Sequence, residues 1–251
     1  MSENRPIVLT IAGFDPSAGA GVLADAKTFE QHRVYGFAIN TGNTIQTDIE
    51  FFEMQWTDLA FVLKSLEKLF GNYTIKAVKI GIVPSLDYLK QIVLTLKKLS
   101  PETKIVWDTV LKSSTEFDFL SIEDQNTLFE ILKKIDLITP NYNEILQLSS
   151  KGINAKTEAI QLSKYCPILL KGGHNPDEIG IDSLYIQNNI YKFLPKTNKC
   201  YEKHGSGCVL SSAITANLAL GQNLKVACEN AKIYTENYLL SNPTKLGFHH
   251  V

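Results

Sequence analysis

Five consecutive residues, His204-Gly205-Ser206-Gly207-Cys208, carry the densest chemistry in the chain. Two glycines let a backbone turn tightly and come close to a ligand. A helical pattern follows them, so the amides after the turn sit at the positive end of a helix dipole without intrahelical partners. Together these features make an anion hole suited to a phosphate. Cys208 falls in the first turn, where a thiol's pKa tends to drop. The same residues also fit a plain glycine turn capped by Ser206, with an inert cysteine. Spacing alone leaves the two readings balanced.

Other candidates have simple alternatives as well. Gly13–Gly21 (GFDPSAGAG) is a second glycine-rich loop, but it has neither the G-x-G-x-x-G order nor the Walker pattern. Asp15-Pro16-Ser17 is a turn signal by itself. Asp25, one helical turn beyond Gly21, either points back toward this loop or only adds a favourable charge near a helix N-terminus. Asn141 and Glu144 have capping-box spacing. The same amide and carboxylate also suit a hard cation such as magnesium, with Asp108 as a further donor. Lys171, before Gly172-Gly173-His174, is either a phosphate ligand or an exposed lysine ahead of a turn. His174 and His204 are more readily hydrogen-bonded structural residues than catalysts.

The elements that must position these residues follow from periodicity. Pro6–Ala12, Lys76–Ile80, Lys104–Asp108, Asp136–Thr139 and Pro167–Lys171 read as short apolar strands. Val22–His32, Ser85–Leu99, Ser121–Lys134 and Asn141–Leu148 read as helices, the third opened by Ser121. Alternating strands and helices predict a mostly parallel sheet covered on both faces. Phe37–Ile45 and Glu50–Gln55 break the rhythm as possible strands, and Asp182–Phe193 reads as a hairpin turning at Gln187-Asn188-Asn189. Gly207–Leu240 reads as two helices divided near Gly221-Gln222-Asn223. In such a sheet, ligands bind beyond the carboxyl ends of the strands. Gly13–Gly21, Gly81, Asp108, Asn141–Glu144 and Lys171–Gly173 all fall at such ends, so they should share one edge.

Bulk composition narrows the function classes. The 251 residues are 44% hydrophobic and 20% charged, enough to bury a full core, and one domain spanning 1–251 is the simplest division. The formal charge is -1, with 25 basic and 26 acidic residues, so no strong field is available for nucleic acid or an anionic membrane. The absence of a signal-peptide pattern and of a long apolar run predicts a cytoplasmic protein. Cys166, Cys200, Cys208 and Cys228 have no C-x-x-C spacing, which argues against a zinc site. All but Cys208 are expected to be buried small hydrophobes.

Read together, these segments resemble the hydroxymethylpyrimidine and phosphomethylpyrimidine kinases, within the ribokinase-like superfamily. The resemblance runs through Ile11–Asp25, Lys27–Gly36, Gln46-Thr47, Lys79-Ile80-Gly81, Thr139–Glu144, Lys171–His174 and His204–Leu218. It implies a three-layer α/β/α sandwich with a small lid, ATP and Mg2+ as cofactors, a small-molecule substrate and a homodimer. It makes Gly205, Ser206 and Gly207 the anion hole and Cys208 the base for the substrate hydroxyl, where most ribokinase-like sugar kinases have aspartate. It puts Gly13, Asp25, Gln46 and Ile82 on the pyrimidine side and Lys171 and Lys232 on the nucleotide side. Asn141 and Glu144, with Asp108, become the magnesium residues. Phe14, Ala18, Ile82 and Thr109 depart from the family pattern. Phe14 and Ile82 are expected at the pyrimidine pocket, so a pyridoxal or pyridoxine kinase is the alternative, beside a non-catalytic pyrimidine-binding regulator.

Overall fold

The computed structural model describes residues 4–112, 117–149, 154–176, 178–197 and 199–249. The backbone of His174 lies among them, but its side chain lies outside the description. Apolar, β-branched runs form β1 (Ile7–Phe14), β4 (Ile75–Ile80), β5 (Lys104–Trp107), β6 (Leu137–Ile138) and β7 (Ile168–Leu170). The two segments that break the rhythm are β2 (Tyr35–Gln46) and β3 (Phe51–Trp56). The expected hairpin is β8 (Asp182–Ile186) with β9 (Asn189–Phe193).

Among the described residues these strands form one sheet in the order β3-β2-β1-β4-β5-β6-β7-β8-β9. Pairing is parallel from β2 through β7, whereas β3, β8 and β9 join antiparallel at the two edges. Strand β2 pairs with β1 and continues as an arm with β3, from Gly42–Trp56 to Gln46–Phe51.

The helices are α1 (Gly21–Gln31), α2 (Leu59–Asn72), α3 (Leu86–Leu99), α4 (Gln125–Leu132), α5 (Tyr142–Leu148), α6 (Ala155–Leu162), α7 (Ser206–Ala219) and α8 (Leu224–Leu240). Sequence periodicity did not single out α2 and α6, although Asp58 and Asn154 cap them. Helix α4 starts later than expected. Asp124, not Ser121, accepts from the Asn126 and Thr127 amides, and a short carboxylate fits this cap well.

Strand side chains alternate between two cores. On one face Leu9, Ile11, Val78, Ile80, Ile105, Trp107, Ile138 and Ile168 pack with residues of α2 to α6. On the other, Val106, Leu137 and Leu169 meet α7 and α8, while Val8 and Ala77 meet Phe29 of α1 and Ala216 of α7. Thr10 and Lys79 belong to this second face by register, one residue on from Leu9 and Val78. That parity brings two polar side chains under α1 and α7. Cys166 and Cys228 are buried as expected, but Cys200 is exposed. It lies on the loop after β9, outside both cores.

Gly21 enters α1 with φ +60°, and an added Cβ would overlap the Gly13 carbonyl. We expect Gly21→Ala to lower stability by about 2 kcal/mol or more, measured by urea unfolding.

Candidate active site

The two glycine-rich loops meet at the sheet edge. Gly205 is the N-cap of α7, in the left-handed region at φ +73°, and no side chain caps the helix. Ser206 is therefore the first helical residue and not a cap. A Cβ on Gly205 would overlap the Gly19 carbonyl, so close approach of the loops requires glycine there. His204 Nε2 lies 2.8 Å from Asp15 Oδ2. Asp15 also accepts from the amides of Ser17 (2.8 Å) and Ala20 (2.9 Å). His204 thus ties one loop to the other, the structural role expected for it.

One to two turns into α7, two consecutive serines fasten the helix to the sheet. Ser212 donates to Asp25 at 2.6 Å, and Ser211 donates to Asp108 at 3.1 Å. Asp25 also accepts from Thr10 (2.5 Å) and pairs with Lys79 Nζ at 2.8 and 2.9 Å, all fully buried. Asp108 also accepts from Thr139 (3.1 Å) and pairs with Lys171 at 3.2 Å. Burial opposes each of these charges. Asp25, then Cys208 and Asp108, nevertheless hold the Lys79 ammonium above its ordinary range. Lys171, then Lys79, holds the Asp108 carboxyl below its own.

These contacts correct two expectations. Asp25 does not reach the pyrimidine side, because three hydrogen-bond partners hold it in the interior. Asp108 is not open to a metal, because it is fully buried behind Lys171. Lys79 and Asp182 were not among the sequence-selected site residues. A lysine inside the apolar strand Ile75–Ile80 was the available signal for the first. Asp182 accepts from the Gly172 amide (2.7 Å) and from Lys232 (3.0 Å), so it joins the turn after β7 to α8.

A cavity of about 1190 Å³ runs along this edge. Gly13, Gln46 and Ile82 line the part beyond β1, β2 and β4, while Lys171 and Lys232 line the part beyond β7 and β8. Gly205–Cys208 lies between them. An added Cβ on Gly13 would press on the end of the Ile82 side chain, so the two residues share one side of the cavity. Phe14 does not line the cavity; its carbonyl accepts from Thr44.

The Asn141/Glu144 pair forms the full capping box. Asn141 Oδ1 accepts from the Asn143 and Glu144 amides, and Glu144 Oε2 from the Asn141 amide at 2.7 Å. Lys171 Nζ stands 3.5 Å from Glu144 Oε2, between the two carboxylates. Burial, reinforced by Asp108 and offset by Lys171, raises the Glu144 pKa. Among the described residues no cluster of three or more acidic, histidine or cysteine side chains suits a metal. Asn141 and Glu144 both line the cavity, and an amide oxygen and a carboxylate are donor types that suit magnesium.

Cys208 also departs from expectation. Its thiol is pushed up to about 11, chiefly by burial, with Asp25 and Asp108 adding to the rise. Lys79 and the Gly21 amide oppose the rise without overcoming it. Alkylation of Cys208 in the ligand-free protein should therefore accelerate about tenfold per pH unit from pH 8 to 10, read by peptide mass spectrometry. A second expectation concerns the buried pair. Asp25→Asn alone should cost about 3–5 kcal/mol in urea unfolding, and replacing both Asp25 and Lys79 with apolar residues should cost much less.

The phosphomethylpyrimidine kinase family model matches residues 15–251. The hydroxymethylpyrimidine/phosphomethylpyrimidine kinase of Aquifex aeolicus is 34% identical over 249 residues, 96% of each chain. The phosphomethylpyrimidine kinase structure from Clostridium difficile superposes with TM-score 0.77 at 32% identity, over 92% of this chain and 98% of that one. Staphylococcus aureus pyridoxal kinase bound to AMP-PCP and pyridoxal gives TM-score 0.83 at 25% identity, over 94% and 88%. The α/β/α architecture is the ribokinase-like one, and this chain belongs to the phosphomethylpyrimidine kinase family.

Proposed function

We propose that the chain transfers the γ-phosphoryl group of ATP to the hydroxymethyl group of 4-amino-5-hydroxymethyl-2-methylpyrimidine, and then phosphorylates the monophosphate, in thiamine biosynthesis. The observation that carries this reading is the uncapped N-terminus of α7. It opens midway along a cavity with room for a ring on one side and a nucleotide on the other.

The nucleotide lies on the Lys171 and Lys232 side, with its γ-phosphate at the Gly205–Cys208 amides. The ring lies near Gly13, Gln46 and Ile82, with its hydroxyl toward Cys208. Lys171 neutralises charge close to the transferred group. Magnesium, held through water by Asn141 and Glu144, supplies further charge neutralisation when bound. Transfer through a loose transition state depends mainly on position and charge. Cys208 orients the hydroxyl and accepts its proton through its thiolate form, which Lys79 favours and burial disfavours. We further propose that residues 1–251 act as one domain, as a homodimer and in the cytoplasm. One continuous sheet supports the first. The exposed Ile45, Ile49 and Phe52 of the β2–β3 arm support the second. No helix among the described residues is long and apolar enough to cross a membrane, which accords with the third.

Pyridoxal is the competing substrate, because the Staphylococcus aureus pyridoxal kinase shares the fold so closely. Incubation with ATP, Mg2+ and each ring, followed by mass spectrometry, should give the pyrimidine mono- and diphosphates, with higher kcat/KM for the pyrimidine than for pyridoxal. Binding without transfer would instead identify a regulator. Cys208→Ala should lower kcat by about 10²–10⁴-fold. Near wild-type turnover in both Cys208→Ala and Cys208→Ser would remove the base assignment.

A further inference from the structure

Two polar side chains at the end of β2, Thr44 and Gln46, meet beside the ring end of the cavity, and both line it. The Thr44 hydroxyl donates to the Phe14 carbonyl at 2.9 Å. A carbonyl can only accept, so the single hydroxyl hydrogen is committed there. Gln46 Nε2 lies 2.8 Å from the same Thr44 oxygen. That oxygen has only lone pairs left to offer, so it must face the amide NH2. The reversed amide would set two acceptors against each other at that distance. An amide's two ends are told apart only by such bonding logic, and here the logic has one solution.

We propose that Thr44 is a positioning residue for ring recognition. Its hydroxyl holds Gln46 with the amide oxygen as the acceptor offered to the cavity. The site thereby selects a heteroaromatic ring that carries an N–H donor near its hydroxymethyl group. This rests on the reading of the cavity as a site for hydroxymethyl heterocycles. Thr44 is buried, and its hydroxyl hydrogen is committed to the Phe14 carbonyl, so we assign its influence on the ring to its hold on Gln46. A free glutamine would present either end and discriminate little between donor-bearing and donor-free rings. A glutamine held in one sense discriminates by leaving its acceptor unpaired against the wrong ring.

The test compares the wild-type chain with Thr44→Val, Thr44→Ala and Thr44→Ser. The probes are 4-amino-5-hydroxymethyl-2-methylpyrimidine and its analogue with hydrogen in place of the amino group. Calorimetric Kd values and kcat/KM are measured for both rings, and thermal unfolding establishes that each variant is folded. The wild type should prefer the amino ring by about tenfold or more. Thr44→Val, or Thr44→Ala if the valine variant does not fold, should reduce that preference to about threefold or less. The change should lie in Kd and KM for the amino ring, with kcat and the analogue's Kd nearly unchanged. Thr44→Ser, which keeps the hydroxyl, should retain the preference. The proposal is overturned if the hydroxyl-free variants keep the wild-type preference, if Thr44→Ser loses as much as they do, or if the wild type shows no preference. Selective binding without phosphoryl transfer would sink the kinase reading and leave this inference standing. Transfer without ring preference would do the reverse.

Discussion

The site depends on how one helix is fastened. Helix α7 carries the proposed anion hole and Cys208 at its first turn, yet no side chain caps that end. What holds it is a pair of neighbouring hydroxyls, Ser211 and Ser212, each bonded to a different buried carboxylate. Each carboxylate is matched by a lysine, Lys171 after β7 for Asp108 and Lys79 within β4 for Asp25. Buried charges are tolerable only when paired and hydrogen-bonded, so each assembly persists only while all its members stay in register. The helix N-terminus is thereby aimed at the cavity, with no side chain capping its amides.

The same arrangement sets the electrostatics of Cys208. Cys208 feels the dipole end of α7 and the Lys79 ammonium, which favour a thiolate. It also feels burial and two nearby carboxylates, which favour the thiol, and these win. In the proposed transfer, where position and charge carry most of the catalysis, such a thiol is workable as a late proton acceptor. Fixed geometry between Gly19 and Gly205, and between Asp15 and His204, contributes in the same sense by holding the two loops edge to edge.

Much of the fold was legible. Apolar runs of strand length, helical periodicity and the cap at Asn141 led to most elements within a residue or two. The hairpin at Gln187 was visible in the same way, and that residue indeed adopts φ +52°. Helices α2 and α6 were passed over, and the start of α4 was misplaced, because several polar residues there could each cap a helix. The cavity lining was legible as a set of strand-end residues, since parallel sheets leave a crevice at that edge. It was not legible which members face outward. Asp25 and Asp108 looked like ligands for substrate and metal, but their long-range partners turned them into buried anchors.

By itself, the sequence determined the alternation of strands and helices, the glycine positions at which two loops approach, and the family pattern running from Ile11 to Leu218. These are local properties of period, cap and backbone freedom. Only the tertiary structure decided that Lys79 and Thr10 share a face with Ser212, that Lys171 stands between Asp108 and Glu144, and that burial raises the Cys208 pKa. Those outcomes rest on distances between residues far apart in the chain and on removal of charges from water, and neither quantity is written in local sequence.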